Sequence, residues 1–148
     1  MKKLSRKTLT LLTASVLACN CMLCYSFSTS AAGAQKYEFE DGTPVGATIQ
    51  ENGTERWQEG ASGDKFVFLE NGGETATVNV SVESTGMYNV TIRYAAPFGD
   101  KLHNLLVNGV DQGQFSCSET AANEWADVSC GTVKLNAGEN EITVKSSW

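Results

Sequence analysis

Gly86-Met87-Tyr88-Asn89-Val90-Thr91-Ile92-Arg93-Tyr94-Ala95-Ala96 is the stretch of this 148-residue chain that decides its fold class. Tyr88, Val90, Ile92 and Tyr94 fall on one face of an extended backbone, and Asn89, Thr91 and Arg93 fall on the other. Strict alternation in a run rich in β-branched and aromatic residues is the pattern of a half-buried strand. Pro97-Phe98-Gly99-Asp100 closes the run with turn residues. Just upstream, Thr75 to Val82 alternates in the same way, with Ala76, Val78, Val80 and Val82 in phase. Only Glu83-Ser84-Thr85 lies between the two runs, so the expected pairing is an antiparallel hairpin.

Working outward, Lys36 to Glu40 reads as a first strand, Thr48 to Glu51 as a short second one, and Phe66 to Leu69 as a compact apolar third. Leu102 to Val107 and Gln112 to Phe115 flank Asn108-Gly109-Val110-Asp111, a strong hairpin signal. Val128 to Leu135 and Glu139 to Lys145 complete the set across Asn136-Ala137-Gly138. No segment has helical periodicity and no repeat is present. Many short strands at regular spacing imply an all-β, two-sheet antiparallel sandwich of jelly-roll type over residues 35–148.

Residues 1–34 read differently. Lys2, Lys3, Arg6 and Lys7 precede a mostly apolar run from Leu9 to Phe27, and Ser30-Ala31-Ala32-Gly33-Ala34 offers the small residues of a signal-peptidase site. The expectation is a secretory signal cleaved after Ala34. A transmembrane anchor competes, because the run approaches the length that crosses a bilayer. So does lipid attachment at Cys19 on the cell surface, through Val16-Leu17-Ala18-Cys19.

Beyond Ala34 the chain carries seven basic and seventeen acidic residues, a net charge of −10. With no basic stripe, this argues against nucleic acid and anionic lipid as partners, and is compatible with a neutral ligand or a bound cation. Cys117 and Cys130 are the only cysteines outside the leader, and in a secreted chain they are expected to form one disulfide, worth roughly 3 kcal/mol in the loop-entropy model. Two cysteines and His103 are too few ligands for zinc.

Several pieces, in order, resemble carbohydrate-binding modules of families 6 and 35, with family 35 the nearer. They are Tyr37-Glu38-Phe39-Glu40-Asp41, the glycine loop from Gly60 to Val67, and Gly86-Met87-Tyr88 running into Ile92-Arg93-Tyr94-Ala95. Val107-Asn108-Gly109, Trp125 and Leu135 to Ile142 complete the series. The resemblance implies a galactose-binding-like jelly roll, a polysaccharide ligand and fusion to a plant-cell-wall hydrolase. Such modules continue past the position of Trp148 into a strand carrying an acid, so the chain is expected to be a fragment or to lack its last strand.

Glu38 and Glu40, two positions apart on the expected strand, would point their carboxylates the same way, and a hard cation such as Ca²⁺ suits that pair. The resemblance implies the same ion, with a backbone carbonyl near Lys65 as a further ligand. The plain alternative is two acids facing solvent on an edge strand.

Sugar recognition uses aromatic faces for C–H surfaces and amides or carboxylates for hydroxyls. Trp125 lies in the polar loop Ala121-Ala122-Asn123-Glu124-Trp125, and Trp148 stands beside two serines. The resemblance places both near a ligand cleft at the loop end; Trp57 is balanced between core and cleft. Arg93, next to the Pro97–Lys101 loop, is a candidate for hydroxyl or uronate contact, with a salt bridge as the alternative. Asn71, Asn104 and Asn123 are further hydroxyl partners, against the ordinary use of asparagine in turns.

Catalysis is not expected. Glu38 and Glu40 are too close along the chain to flank a glycosidic bond, and the single histidine has no triad context. The sequence therefore reads as a secreted, monomeric, non-catalytic module that targets a fused or associated glycoside hydrolase to plant polysaccharide, with β-mannan or a related hemicellulose favoured. The alternative is a cell-surface adhesion or structural β-sandwich.

Overall fold

The computed structural model describes residues 34–148; the expected leader, Cys19 included, lies outside them except for Ala34. Nine strands follow in order: β1 (Thr43–Val45), β2 (Thr48–Glu51), β3 (Lys65–Phe68), β4 (Thr75–Val82), β5 (Gly86–Tyr94), β6 (Lys101–Val107), β7 (Val110–Cys117), β8 (Ala126–Leu135) and β9 (Gly138–Ser146). A five-stranded antiparallel sheet has the order β1-β4-β9-β6-β7, and it is opposed by the pairs β5–β8 and β2–β3. No helix among the described residues is long and apolar enough to cross a membrane.

The core fills with the inward positions that alternation singles out. Val78 and Val80 of β4, Leu105 and Val107 of β6, Phe115 and Cys117 of β7, Val133 and Leu135 of β8, and Ile142 and Val144 of β9 form one buried cluster. Tyr88, Val90, Ile92 and Tyr94 of β5 pack on it from the other layer. Two pairings, β5–β8 and β6–β7, are rephased by bulges. In β8 the register shifts opposite Val90/Thr91, leaving Cys130 as the extra residue before Gly131 at φ 92°. That bulge lets Val128 and Cys130 and then Val133 and Leu135 all face the core, although the two pairs differ in parity.

Three expectations need correction. First, β4 and β5 do not form a hairpin: β4 pairs with β9 and β1, and β5 pairs with β8. Glu83-Ser84-Thr85 carries the chain from one layer to the other, beside the equivalent crossing of Asn136-Ala137 between β8 and β9. Alternation states that one face of a strand is buried. It does not state whether its sequence neighbour lies beside it or across the core.

Second, Lys36–Glu40 is not a strand. The chain is extended only to Glu38 and then makes a single 3₁₀ turn, Phe39–Asp41. Gly42 follows so close to β4 that a Cβ there would lie 1.9 Å from the Thr77 carbonyl oxygen, and the short β1 then pairs beyond it. Glu38 and Glu40 are consequently not on a common strand face.

Third, Cys117 and Cys130 are free thiols, with no disulfide between them. Cys117 is buried in the core and Cys130 half-buried against it; burial pushes Cys117 up to about 11, and burial and then the Cys117 charge push Cys130 up to about 12.

The turns separate into two poles. At one, Asn108-Gly109 joins β6 to β7 with both residues at positive φ (50° and 78°), the two-residue turn that matches strand twist. The buried Asn140 binds this pole together: its Oδ1 accepts from Asn108 Nδ2 and from the Asn136 N–H, both at 3.0 Å, and its Nδ2 donates to the Asn136 and Gly138 carbonyls. At the other pole lie the loops β3–β4, β5–β6 and β7–β8 and the end of β9. The candidate site is built there.

Candidate functional site at the loop pole

On β3 the side chains of Phe66 and Phe68 share one face, two residues apart. Trp57 stacks on Phe66 at 5.9 Å between ring centroids, and Trp125 meets Phe66 edge-on at 5.5 Å. Phe68 makes the same kind of edge contact with Phe98 at 6.5 Å. The Arg56 guanidinium lies over both of these rings, 5.9 Å from Phe68 and 5.5 Å from Phe98, and its Nη2 is 3.4 Å from Glu70 Oε1. From Phe98 the line continues through Lys101, whose Nζ donates to the Phe98 carbonyl at 3.0 Å and sits 5.5 Å from the Trp148 ring centroid. Two cations thus bind the Phe68, Phe98 and Trp148 end of the loop pole together, while Trp57, Phe66 and Trp125 pack on one another directly.

The rings differ in what they offer. Phe98 is 56 % exposed and Trp148 42 % exposed, so each presents a face to solvent. Trp57 and Trp125 are half-buried. Trp125 Nε1 donates to the Glu59 carbonyl at 2.8 Å, and the indole packs on Gly60, where φ is +81° and a Cβ would lie 3.6 Å from Cδ1. Asn123, itself at φ 61°, accepts the Glu59 N–H at Oδ1, and its own N–H donates to Gln58 Oε1, each at 2.8 Å. Asn123 and Trp125 therefore staple the Gln58–Gly60 segment to the β7–β8 loop, and the Asn123 side-chain oxygen is already engaged.

Asn71 reaches the same pole from the β3–β4 loop. Its Nδ2 donates to Glu74 Oε1 at 2.9 Å and its carbonyl accepts from Ser146 Oγ. The adjacent Gly72 has no room for a side chain, since a Cβ would fall 1.9 Å from the Trp148 carbonyl oxygen. Asn71 and Trp148 are thereby neighbours. Arg93 is not drawn into the row. It lies on the solvent face of β5 opposite Asp127 of β8, and no salt bridge pairs it among the described residues.

Beneath Trp148 lies His103, 8 % exposed, stacked on Phe115 at 5.4 Å and edge-on to the indole at 5.0 Å. Its Nδ1 has no hydrogen-bond partner. Burial, and then the Lys101 charge, pull its pKa down to about 4. It is a neutral packing residue.

The acidic pair lies elsewhere. Lys36 Nζ lies 2.6 Å from Glu38 Oε1, and its hydrogen bond to that carboxylate holds Glu38 below the usual carboxylate range; the same ammonium donates to Ser62 Oγ. Burial pushes Glu40 above that range, and the Glu38 charge adds to the shift. Strand β3, which begins at Lys65, packs against the Phe39–Asp41 turn. Two carboxylates that feel each other's charge suit a hard cation in donor type. In number they fall short, because no group of three or more His, Cys, Asp or Glu side chains converges among the described residues.

Sequence reasoning missed Arg56, Phe98 and Lys101 as parts of the site. A phenylalanine inside the turn Pro97-Phe98-Gly99-Asp100, with nothing apolar in register beside it, was the available signal.

A jelly-roll sandwich with solvent-facing rings at its loop pole has the architecture of a saccharide-binding module. The chain belongs to carbohydrate-binding module family 35, whose family description matches residues 35–148. Among curated relatives, mannan endo-1,4-β-mannosidase B of Piromyces sp. is 38 % identical over 125 residues, covering 84 % of this chain and 21 % of that protein. Mannan endo-1,4-β-mannosidase of Thermothelomyces thermophilus is 34 % identical over 119 residues, covering 80 % and 23 %. The chain thus spans about a fifth of the length of these relatives. Among solved structures, the Podospora anserina GH26-CBM35 β-(1,4)-mannanase superimposes with a TM-score of 0.64 at 32 % identity, over 76 % of this chain and 24 % of that one. A family 35 module from Clostridium thermocellum gives a TM-score of 0.64 at 24 % identity over 76 % and 85 %, a likeness of fold.

Proposed function

We propose that this chain is a secreted, monomeric, non-catalytic module that binds β-mannan or a related hemicellulose and holds a fused or associated hydrolase against it. The observation that carries the reading is the solvent-facing row Phe98–Lys101–Trp148, continued inward by Arg56, Phe68, Phe66, Trp57 and Trp125. Exposed rings give a pyranose C–H face an apolar bed, and the ammonium and guanidinium between them donate to hydroxyls without demanding an anion. The net charge of −10 beyond Ala34 disfavours a polyanionic ligand and suits a neutral one. The mannanase relatives, at 34–38 % identity, favour mannan over other neutral chains.

Calcium belongs to the same proposal as a structural ion. Glu38 and Glu40 would hold it, with a carbonyl near Lys65 and water completing the shell, and Lys36 is the resident cation it would displace from Glu38. Bound there, the ion would neutralise two coupled carboxylates and fix the Phe39–Asp41 turn against β3.

Affinity electrophoresis tests the reading. Migration is expected to be retarded in gels containing mannan, and the retardation to be lost in a Phe98→Ala, Trp148→Ala double variant that melts like the parent. Free migration through mannan, xylan, pectin and cellulose alike would defeat it.

A further inference from the structure

Trp148 belongs to two features at once. It ends the aromatic row, and it forms one wall of a depression of about 390 Å³ on the outer face of the five-stranded sheet. Asn104 and Leu106 of β6, which alternate with the buried His103, Leu105 and Val107, face that depression together with Asp111, Lys145 and Ser147. Its polar groups are held in place by one another. Asn104 Nδ2 donates to Asp111 Oδ2 at 2.6 Å, and Asn104 Oδ1 accepts from Gln114 Nε2 at 3.3 Å and from Ser147 Oγ. The other Asp111 oxygen takes the Gly113 N–H at 2.7 Å, at the bulge that shifts the β6–β7 register. An amide and a carboxylate oriented in this way, beside an apolar floor at Leu106 and an indole wall, match the alternating hydroxyl and C–H surfaces of a sugar ring. One acid and one lysine leave the depression without net charge, so it suits neutral rings and not uronates.

We infer that the saccharide site runs on from the loop pole, past Trp148, into this depression, so that the module grips an internal stretch of several sugar units and not a single chain end. The inference rests on the proposed saccharide reading and extends it to the class of ligand. The rings along Phe98 and Trp148 take the first units. The Asn104–Asp111–Lys145 surface takes the units that follow, and linking the two raises affinity as a bivalent contact does.

Isothermal titration with β-1,4-mannooligosaccharides from two to six units reads the extent directly. Affinity of the parent is expected to rise steadily to the hexamer. In Asp111→Ala, and separately in Lys145→Ala, which leaves the Asn104 relay intact, it is expected to stop rising at short length. Their hexamer affinity should fall about tenfold while dimer affinity is unchanged. Parental affinity already saturated at two units, or hexamer binding by both variants equal to the parent, overturns the extended site while leaving the loop-pole site standing. No binding of any length by the parent defeats both readings.

Discussion

The indole N–H of Trp125 donates to the carbonyl of Glu59 at 2.8 Å, tying together two loops that lie 66 residues apart in the chain. With the Asn123 bonds to Gln58 and Glu59, this makes Trp125 a fastener of the loop pole as well as a ring within it. Trp125→Phe is therefore expected to keep the edge contact to Phe66 but lose about 1 kcal/mol of stability with the hydrogen bond. Trp125→Ala should lose about 3 kcal/mol and mannan binding together. Urea denaturation of the two variants checks the ordering; equal stability of Trp125→Ala and the parent would contradict it.

Phe98 and Lys101 present the opposite case. Phe98 is mostly exposed, so Phe98→Ala should leave the melting temperature within a few degrees of the parent. Retardation in mannan gels should fall by roughly an order of magnitude, the weight of one well-used aromatic contact. Lys101→Ala should weaken binding less, since the ring contact of an exposed lysine is worth about 0.5–1 kcal/mol.

Acid should destabilise the module through His103. Its folded pKa, about 4, lies below the unfolded value near 6.5, so the unfolded chain takes up the proton first. Stability is then full above pH 6.5 and falls progressively as pH drops toward 4, by up to about 3 kcal/mol. His103→Phe retains stacking on Phe115 and removes the titration. The difference in unfolding free energy between parent and variant should shrink or reverse between pH 7 and pH 4, and a constant difference across that range would refute the assignment.

Calcium should raise the melting temperature, with chelator reversing the effect. Glu40→Gln should abolish the response. Lys36→Ala should strengthen it, because the ammonium that competes for Glu38 is gone. An identical melt with calcium and with chelator in all three proteins would remove calcium from the proposal.

The thiols offer a separate check. At about 11 and 12, Cys117 and Cys130 stay protonated at neutral pH and are shielded in the core, so a thiol reagent should find neither in the native protein and both in denaturant. Recovery of no thiols in denaturant from unreduced protein would instead establish the cross-link expected from the sequence.

Alternation and turn chemistry made most of the strands legible: Tyr88 through Tyr94 and Val78 through Val82 pack on the core as their periodicity required. The Asn108-Gly109 turn formed where its residue types demanded it. The partner of each strand was not legible, because a crossing between layers and a hairpin need the same short polar linker. The opening segment misled for a local reason: Phe39 alternates with Glu38 and Glu40 as in a strand, yet the close approach of Gly42 to β4 bends the chain first. At the site, Trp125, Trp148, Asn71 and Asn123 were brought to one pole, although Asn123 serves the loop itself. Arg93 lay on an outer face, and the links that join the rings, Arg56 and Lys101, were hidden because a cation over an aromatic leaves no periodic trace.

Asn140 sits at the pole away from the rings, 2 % exposed, joining two chain reversals, β6–β7 and β8–β9, with one amide. On the proposed reading, the Asn140 anchor and the rings that recognise the ligand lie at opposite ends of the sandwich. Exposed loop tips such as that around Phe98 can be exchanged, lengthened or recoded for another polymer, while the asparagine knot and the Trp125–Glu59 bond keep the frame in order. A library confined to those loops would sample new sugars on a frame that does not have to be rediscovered each time.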